Sequence, residues 1–448
     1  MNVMIADISD DLDTTVKGVQ TAITLFLLIM AIFMIPCSKL TDRWGRTRCF
    51  RLGLALYGIG AILSAVSPGL GVLILGNSVF EGVGTALLIP PVYILTTLSF
   101  DDLTSRARAF GAISGMGGIG AAAGPLIGGL LTTAISWRAA FVFQAVVVTA
   151  IVLLSRGITD PLPPDPRSRF DTLGAILSAV GMFFVVFGIQ RASTDLALTA
   201  LLVVIGAGFL LAFFLYTRSR ERAGEEPLLP TALFKNRVSN LGLATQNIQW
   251  LLLMGTSFVV SVFLQTVRHY SAIKTGVIFT AATAGVLASS LLAERWAKRY
   301  PQRGLIRAGF VVSIVGIVLL LVLVITWSSE AAFVPGLLLI GLGMGGMLTP
   351  SVNLVQSSFG EDLQGEISGL SRSVSNLGSS FGTAIVGTIL VADLAAGNAA
   401  YALAMGALAL IALVGLAAAT RLPGDPPTAD AHRAPEAPDS AGAAVEPA

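Results

Sequence analysis

A glutamate, Glu81, lies inside a long apolar stretch of the chain. On a helix it would share one face with Asn77, Ser78 and Thr85, because each is three or four residues away from it. If that helix crossed a bilayer, the charged form would cost at least about 2.5–3.5 kcal/mol, so the acid would face a cavity or carry a proton. The stripe therefore indicates a proton-coupling site at Glu81. The alternative is a glutamate that only hydrogen-bonds its neighbours near the outer interface.

A second charged side chain, Arg372, stands in another apolar stretch. Arg372, Ser375, Asn376 and Ser379 have helical spacing and form a second polar stripe. Two interpretations stay open. The long side chain extends to the nearer interface, or it lines a transport pathway and binds an anionic group. A direct pair between Arg372 and Glu81 is a further alternative.

Amide and aromatic side chains gather around residue 246. Gln246, Gln249 and Trp250 share a broad helical face, and Asn353 has a similar setting further along the chain. Such groups suit bulky, partly apolar ligands, although ordinary helix packing accounts for them equally well. The candidates for lining a substrate cavity are therefore Asn77, Gln246, Gln249, Trp250, Asn353 and Arg372.

Soluble-enzyme chemistry has no support in the sequence. Cys37, Cys49, His269 and His432 form no metal-ligand pattern. No P-loop, dinucleotide-binding glycine motif or nucleophile elbow is present. A net charge of +2 gives no reason to expect nucleic acid. We expect no enzyme activity, no cofactor and no metal, and an ion gradient rather than ATP as the source of energy.

The composition is that of an integral membrane protein. Of 448 residues, 54% are hydrophobic and 12% are charged, whereas soluble domains carry about 25% charged residues. A spanning helix needs about 20 apolar residues. Thirteen segments of that kind can be read, at 17–36, 50–66, 71–97, 106–132, 137–155, 171–190, 196–216, 239–265, 275–293, 305–327, 332–355, 365–391 and 399–420.

Basic residues show on which side each loop lies. They concentrate in alternate loops, such as 38–51, 156–169 and 295–307, and cytoplasmic loops carry the excess of Lys and Arg. The tail 421–448 is rich in Pro, Ala and acids, and we predict that it is a disordered cytoplasmic segment.

The chain opens on a group of acids, Asp7, Asp10, Asp11 and Asp13. The cytoplasmic assignment of the loop at 38–51 puts these acids in an outer loop. Only residues 1–6 stand before them, about 9 Å of helix against a core of about 30 Å. We therefore expect the beginning of a first helix to be missing, and the alternative is an external N-terminus.

The segment SKLTDRWGRTR at 38–48 has the character of a short cytoplasmic hairpin. Its acid can accept hydrogen bonds from a helix N-terminus or pair with an arginine, and its glycine permits a tight turn. An ordinary basic loop is the alternative. The residues that define the motif are Asp42, Arg43, Gly45, Arg46 and Arg48.

The segment GAISGMGGIGAAAGPLIGG at 111–129 repeats glycine every four residues. Such glycines stack on one helix face and let another helix approach closely. Pro125 lacks an N–H, so the helix can bend there. A simple dimerising face is the alternative. The motif consists of Gly111, Gly120, Gly124, Pro125, Gly128 and Gly129.

These two motifs, at this spacing, resemble the major facilitator superfamily. The glycine segment resembles its antiporter motif in helix 5, and later segments, such as EPLLPTALFKNRVSN, resemble the fourteen-helix drug:proton antiporters of the Qac and Emr type. The resemblance implies an all-α membrane fold of two six-helix bundles with two extra central helices. Its expected parts are an N-terminal bundle (1–156), a linker with the central pair (157–237), a C-terminal bundle (238–420) and the tail (421–448).

The resemblance also implies a function. We expect proton-coupled export of small hydrophobic drugs or natural products by a monomer in a bacterial cell membrane, with the 38–48 hairpin as a gating loop. The sequence departs from the family where helix 4 usually carries an arginine, because Ser78 and Glu81 stand there instead. Transport of an anionic metabolite anchored by Arg372 is the alternative on the same fold. A non-transporting or degraded membrane protein is the other alternative.

Overall fold

The structure is a computed structural model that describes residues 1–99, 113, 116, 120, 123–160, 170–192, 195–297, 299–327, 329–359, 363–391 and 397–423. Every regular element within these residues is a helix. The α-helices are α1 (Ile5–Asp11), α2 (Val16–Trp44), α3 (Arg46–Ala65), α4 (Leu70–Leu73), α5 (Gly82–Ser99), α6 (Ala123–Ala134), α7 (Trp137–Leu154), α8 (Thr172–Arg191), α9 (Leu196–Arg222), α10 (Arg237–Val262), α11 (Ala272–Ala297), α12 (Gln302–Thr326), α13 (Phe333–Gln356), α14 (Gln364–Val391) and α15 (Asn398–Thr420).

Among the described residues, eleven helices are long and apolar enough to cross a bilayer. The serine-rich helix α14 is 28 residues long but is not one of the eleven. Most of the predicted segment 106–132 lies outside the described residues. The all-helical membrane fold is therefore confirmed, while the number of thirteen spans stays a prediction.

Helices α2 and α14 pack along their whole length. At one end Gln20 Nε2 donates to the carbonyl of Thr383 over 3.1 Å, and towards the other end Ser373 Oγ donates to the carbonyl of Ala31 over 2.6 Å. Small and hydroxyl-bearing residues let two membrane helices approach closely and hydrogen-bond across their interface. This explains why α14 can be polar and yet lie among apolar helices.

The central helices α8 and α9 form a hairpin that rests on α2 and α14. Asp171 begins α8, where its carboxylate accepts hydrogen bonds from the N–H groups of Gly174 (2.9 Å) and Leu228 (3.0 Å). This ties the segment between α9 and α10 to α8. The leucines of that segment are buried with side chains from several helices, namely Ile35, Phe213, Leu228, Leu229, Leu233, Leu243, Val355, Ile367 and Leu370.

Three of the four opening acids lie in a helix, where the sequence predicted a loop. Asp7, Asp10 and Asp11 belong to the short helix α1, because Ile5 and Ile8 on its other face are fully buried and hold it against the apolar core. Asp11 lies beside α7, where Trp137 Nε1 donates to its carboxylate over 3.0 Å and Arg138 pairs with it. The hydrogen bond from Arg138 lowers the pKa of Asp11.

Candidate functional site

Glu81 is a buried carboxyl at the end of a π-helical segment, Ile74–Glu81, that joins α4 to α5. Such wide turns are rare and are frequent at functional sites. Its side chain is almost completely enclosed, with 1% of the residue exposed. Asn77 Nδ2 donates to Glu81 Oε2 over 3.3 Å, and Thr85 Oγ1 donates to the carbonyl of Glu81 over 2.6 Å. The predicted polar stripe is therefore a hydrogen-bonded group.

The stripe divides between two neighbouring helices. Ser78 Oγ donates to the carbonyl of Ala22 in α2 over 2.8 Å. Glu81 faces α3 instead, because a methyl group placed on Gly60 would lie 2.8 Å from Glu81 Cγ. One placed on Gly76 would lie 2.6 Å from Ser64 Oγ. The two glycines thus allow the backbones of α3 and the π-helical segment to approach closely around the carboxyl.

Several oxygen atoms converge on this carboxyl. The hydroxyls of Tyr57 and Ser64 in α3 lie beside it, and Tyr57 also accepts a hydrogen bond from Gln144 Nε2 of α7 over 2.7 Å. Among the described residues, Glu81 Oε1, Asn77 Oδ1 and Ser64 Oγ are buried without a hydrogen-bond partner. A buried polar atom without a hydrogen-bond partner costs free energy of folding. We call the group of Tyr57, Ser64, Asn77 and Glu81 the Glu81 pocket. Its unpartnered oxygen atoms favour the binding of a ligand or a proton.

Arg372 contacts α5 rather than Glu81. Its guanidinium donates to the hydroxyl of Tyr93 and lies 4.8 Å from the centroid of the tyrosine ring. Nearer the end of α2, Lys39 Nζ pairs with Glu366 Oε1 at 2.7 Å. Both contacts join helices of the N-terminal half of the chain to α14, at the end of α2 that the basic loops assign to the cytoplasm.

The two predicted cavity glutamines are used in helix packing. Gln246 accepts a hydrogen bond from Ser371 Oγ over 2.9 Å, and Gln249 donates to Ser351 Oγ. Both side chains are buried between helices. Of the other candidates in this half, Trp250 is half-buried and Asn353 is exposed. The polar pattern that suggested a cavity therefore arises, at Gln246 and Gln249, from hydrogen bonds between helices.

The hairpin at 38–48 is mostly helical, which the sequence did not predict. Helix α2 runs to Trp44 and α3 begins at Arg46, so the turn consists of Gly45, whose φ of 92° favours glycine. The Arg46 N–H donates to Asp160 Oδ2 over 2.6 Å, and the Arg46 guanidinium lies 3.5 Å from the same carboxylate. Arg43 and Arg48 are exposed, and the side chain of Asp42 lies outside the described residues.

The glycine-rich motif is described only in part, since Gly111 lies outside the described residues. Among the described residues, no atom lies within 4 Å of a methyl group placed on Gly120 or Gly124. Gly129 packs against the backbone of Ala272, where an added methyl group would lie 2.6 Å from the carbonyl oxygen. The carbonyl of Pro125 contacts Gly276 in the same way. The motif therefore brings α6 against α11, a second contact between the two halves of the protein.

Sequence reasoning missed three features of the site: Ser64, Tyr57 and the close approach at Gly60 and Gly76. Each stands in the apolar helix α3 or next to Glu81, where a lone hydroxyl or glycine is unremarkable in a membrane protein. Only the helix pairing shows that these residues meet the carboxyl.

Comparison with known proteins gives a consistent result. A family model described as Major Facilitator Superfamily matches residues 1–383. A puromycin resistance protein of Streptomyces alboniger is 28% identical over 398 residues, which cover 87% of this chain and 77% of that protein. The multidrug resistance protein Stp of Mycobacterium tuberculosis is 27% identical over 400 residues, 88% of this chain and 73% of that protein.

Solved structures show the same fold. The crystal structure of a peptide transporter in complex with sulfate superposes with a TM-score of 0.69 at 16% identity, and the match covers 94% of this chain and 91% of that one. At this identity the likeness concerns the helix arrangement alone.

Proposed function

Because the chain belongs to the major facilitator superfamily, we propose that it exports small hydrophobic drugs or natural products in exchange for protons. The observation that carries this proposal is the buried Glu81 pocket in a chain whose relatives, matched over most of their length, are resistance proteins. A carboxyl that can be neutral or charged in a membrane interior suits the task of carrying a proton.

The contacts between the two halves suggest how transport proceeds. Proteins of this superfamily alternate access by rocking one half against the other around a site near the midplane. Here the surfaces that must separate are α2 with α14 and α6 with α11. Opening at the cytoplasmic side requires Lys39 to leave Glu366 and Arg372 to leave Tyr93.

We propose that protonation of Glu81 biases this movement. The charged form needs compensation inside the membrane, whereas the neutral form needs only hydrogen bonds such as the one from Asn77. Tyr57 connects the pocket to Gln144 of α7.

We further propose that the chain belongs to the fourteen-helix branch and acts as a monomer in the bacterial cell membrane. One support is the pair of helices α8 and α9, which lies in the sequence between the helices of the N-terminal part and those of the C-terminal part. The other is the bacterial origin of the relatives. The division into a bundle at 1–156, a central pair at 157–237 and a bundle at 238–420 is part of the same proposal.

The experiment uses everted vesicles from a bacterial host that expresses the protein. Export is followed with ethidium, a fluorescent hydrophobic cation, and with puromycin as a competitor. We expect uncoupler-sensitive accumulation by wild type, loss of at least tenfold in Glu81→Gln, and wild-type accumulation in Glu226→Gln, which changes an exposed cytoplasmic carboxylate. Accumulation by Glu81→Gln that still follows the proton gradient contradicts the role of Glu81.

Arg372 distinguishes the alternative substrate class. If the protein carried an anionic metabolite, Arg372→Gln would abolish transport of organic anions while Glu81→Gln would spare it. Absence of any energised transport in wild type would instead support a degraded, non-transporting protein.

A further inference from the structure

We propose that the Glu81 pocket binds Na⁺, in competition with a proton, between α3 and the π-helical segment Ile74–Glu81. The binding site is argued from its geometry alone. Its use as a coupling ion rests on the proposed transport function.

The first observation is the convergence of oxygen atoms that lack a partner. Glu81 Oε1, Asn77 Oδ1 and Ser64 Oγ come from two adjacent segments, and among the described residues none of the three atoms has a hydrogen-bond partner. The side chains of Glu81, Asn77 and Ser64 are 1%, 6% and 0% exposed. An enclosed group of oxygens that receives no hydrogen bond is satisfied by a cation that it coordinates.

The chemistry of these atoms selects the kind of ion. Carboxylate, amide and hydroxyl oxygens are hard ligands, which prefer hard cations over soft transition metals. The side chains of the pocket carry one formal negative charge, from Glu81, while those of Asn77, Ser64 and Gln144 are neutral. A monovalent cation cancels this charge, whereas a divalent cation would leave an excess positive charge in an apolar surrounding.

The groups that face Glu81 explain the competition with a proton. Among the described residues, the titratable or charged groups near its carboxyl are the Tyr57 hydroxyl of α3 and the amino group of Met1. Neither supplies a second carboxylate. A proton and Na⁺ would therefore neutralise the same single charge, and each would exclude the other.

The experiment measures binding of radioactive sodium to the purified full-length protein in detergent, with choline chloride to hold the ionic strength constant. We expect saturable binding to wild type, no binding to Glu81→Gln, and affinity weaker by about tenfold in Ser64→Ala, which removes one ligand oxygen. Glu226→Gln is the matched control and keeps wild-type binding. Ser64→Ala deletes a hydroxyl without a partner, so the thermal midpoint without Na⁺ should stay near that of wild type.

Competition supplies the second readout. Once the pH is below the pKa of the site, each further unit should weaken the apparent Na⁺ affinity by about tenfold. No binding to wild type, or unchanged binding to Glu81→Gln, would overturn the proposal. Proton-driven export without Na⁺ binding overturns this inference and leaves the proposed function intact, whereas Na⁺ binding without export does the reverse.

Discussion

The cytoplasmic ends of α2 and α14 can be locked together by one engineered disulfide. A Cβ atom placed on Gly369 would lie 3.7 Å from Ser38 Cβ, and disulfides form at Cβ separations of about 3.5–4.5 Å. The double substitution Ser38→Cys and Gly369→Cys should therefore form a bond with little movement of either helix. It is made in a background in which the native thiols, Cys37 and Cys49, are replaced by alanine.

The bond spans the surface between α2 and α14 that separates in the proposed opening. A disulfide keeps its two Cα atoms within about 6.8 Å, so the oxidised protein cannot widen the cytoplasmic mouth between α2 and α14. We expect oxidation to reduce ethidium export in everted vesicles at least tenfold and dithiothreitol to restore it. The two single-cysteine variants serve as controls, since their activity should not respond to oxidation.

The extent of bond formation is measured directly, by mass spectrometry of peptides prepared without reduction. Refutation would be complete bond formation with undiminished export, because α2 and α14 would then not need to separate at this end. Failure of the bond to form under mild oxidation would contradict the helix packing itself.

Three other perturbations test the same structure. Lys39→Gln or Glu366→Gln removes a contact of 2.7 Å between half-buried groups. We expect each substitution to favour the open state by about 1 kcal/mol, about fivefold in population. The measurement is the rate of maleimide labelling of a cysteine placed at Ser38, which should rise; a slower rate would contradict the prediction. Gly60→Val should overpack the interface with Glu81, lowering the thermal midpoint and abolishing export, whereas Gly120→Val, beside open space, should leave the midpoint unchanged. Arg138 lowers the pKa of Asp11, so their pairing stabilises the fold above the ordinary pKa of an aspartate, about 3.9, and the benefit is lost as the pH falls through the lowered value. The difference in thermal midpoint between wild type and Arg138→Gln should therefore be constant above about pH 5 and become smaller in stronger acid, where the hydrogen bond from Arg138 to the carbonyl of Ser67 remains. A difference that does not shrink there would refute the pairing.

The helices were predictable from the sequence because apolar length is a strong signal. The predicted segments 137–155 and 399–420 correspond to Trp137–Leu154 and Asn398–Thr420. The hairpin at 38–48 was predicted less well, because its charged residues suggested a loop. A helix that leaves the bilayer can continue with polar residues, so charge marks the membrane boundary rather than the helix end.

The contacts of the site were less predictable than its residues. Glu81 and Arg372 stood out as charges in apolar segments, and both are enclosed or half-enclosed in the structure. Their partners, Ser64 and Tyr93, carry no such signal, because they depend on which helices are neighbours. Gln246 and Gln249 also show the limit of spacing, which cannot distinguish a cavity face from a packed one: both glutamines hydrogen-bond to serines of other helices.

The position of Glu81 constrains any mechanism of coupling. Its carboxyl lies between α3 and the π-helical segment, whereas the contacts that the proposed opening breaks lie between α2 and α14. Ser78 connects the two regions, because it belongs to the same segment and donates to the carbonyl of Ala22 in α2. An ion that alters the π-helical segment would therefore move α2 through this contact. Coupling then follows from a change in helix packing, and the transported compound need not touch the ion.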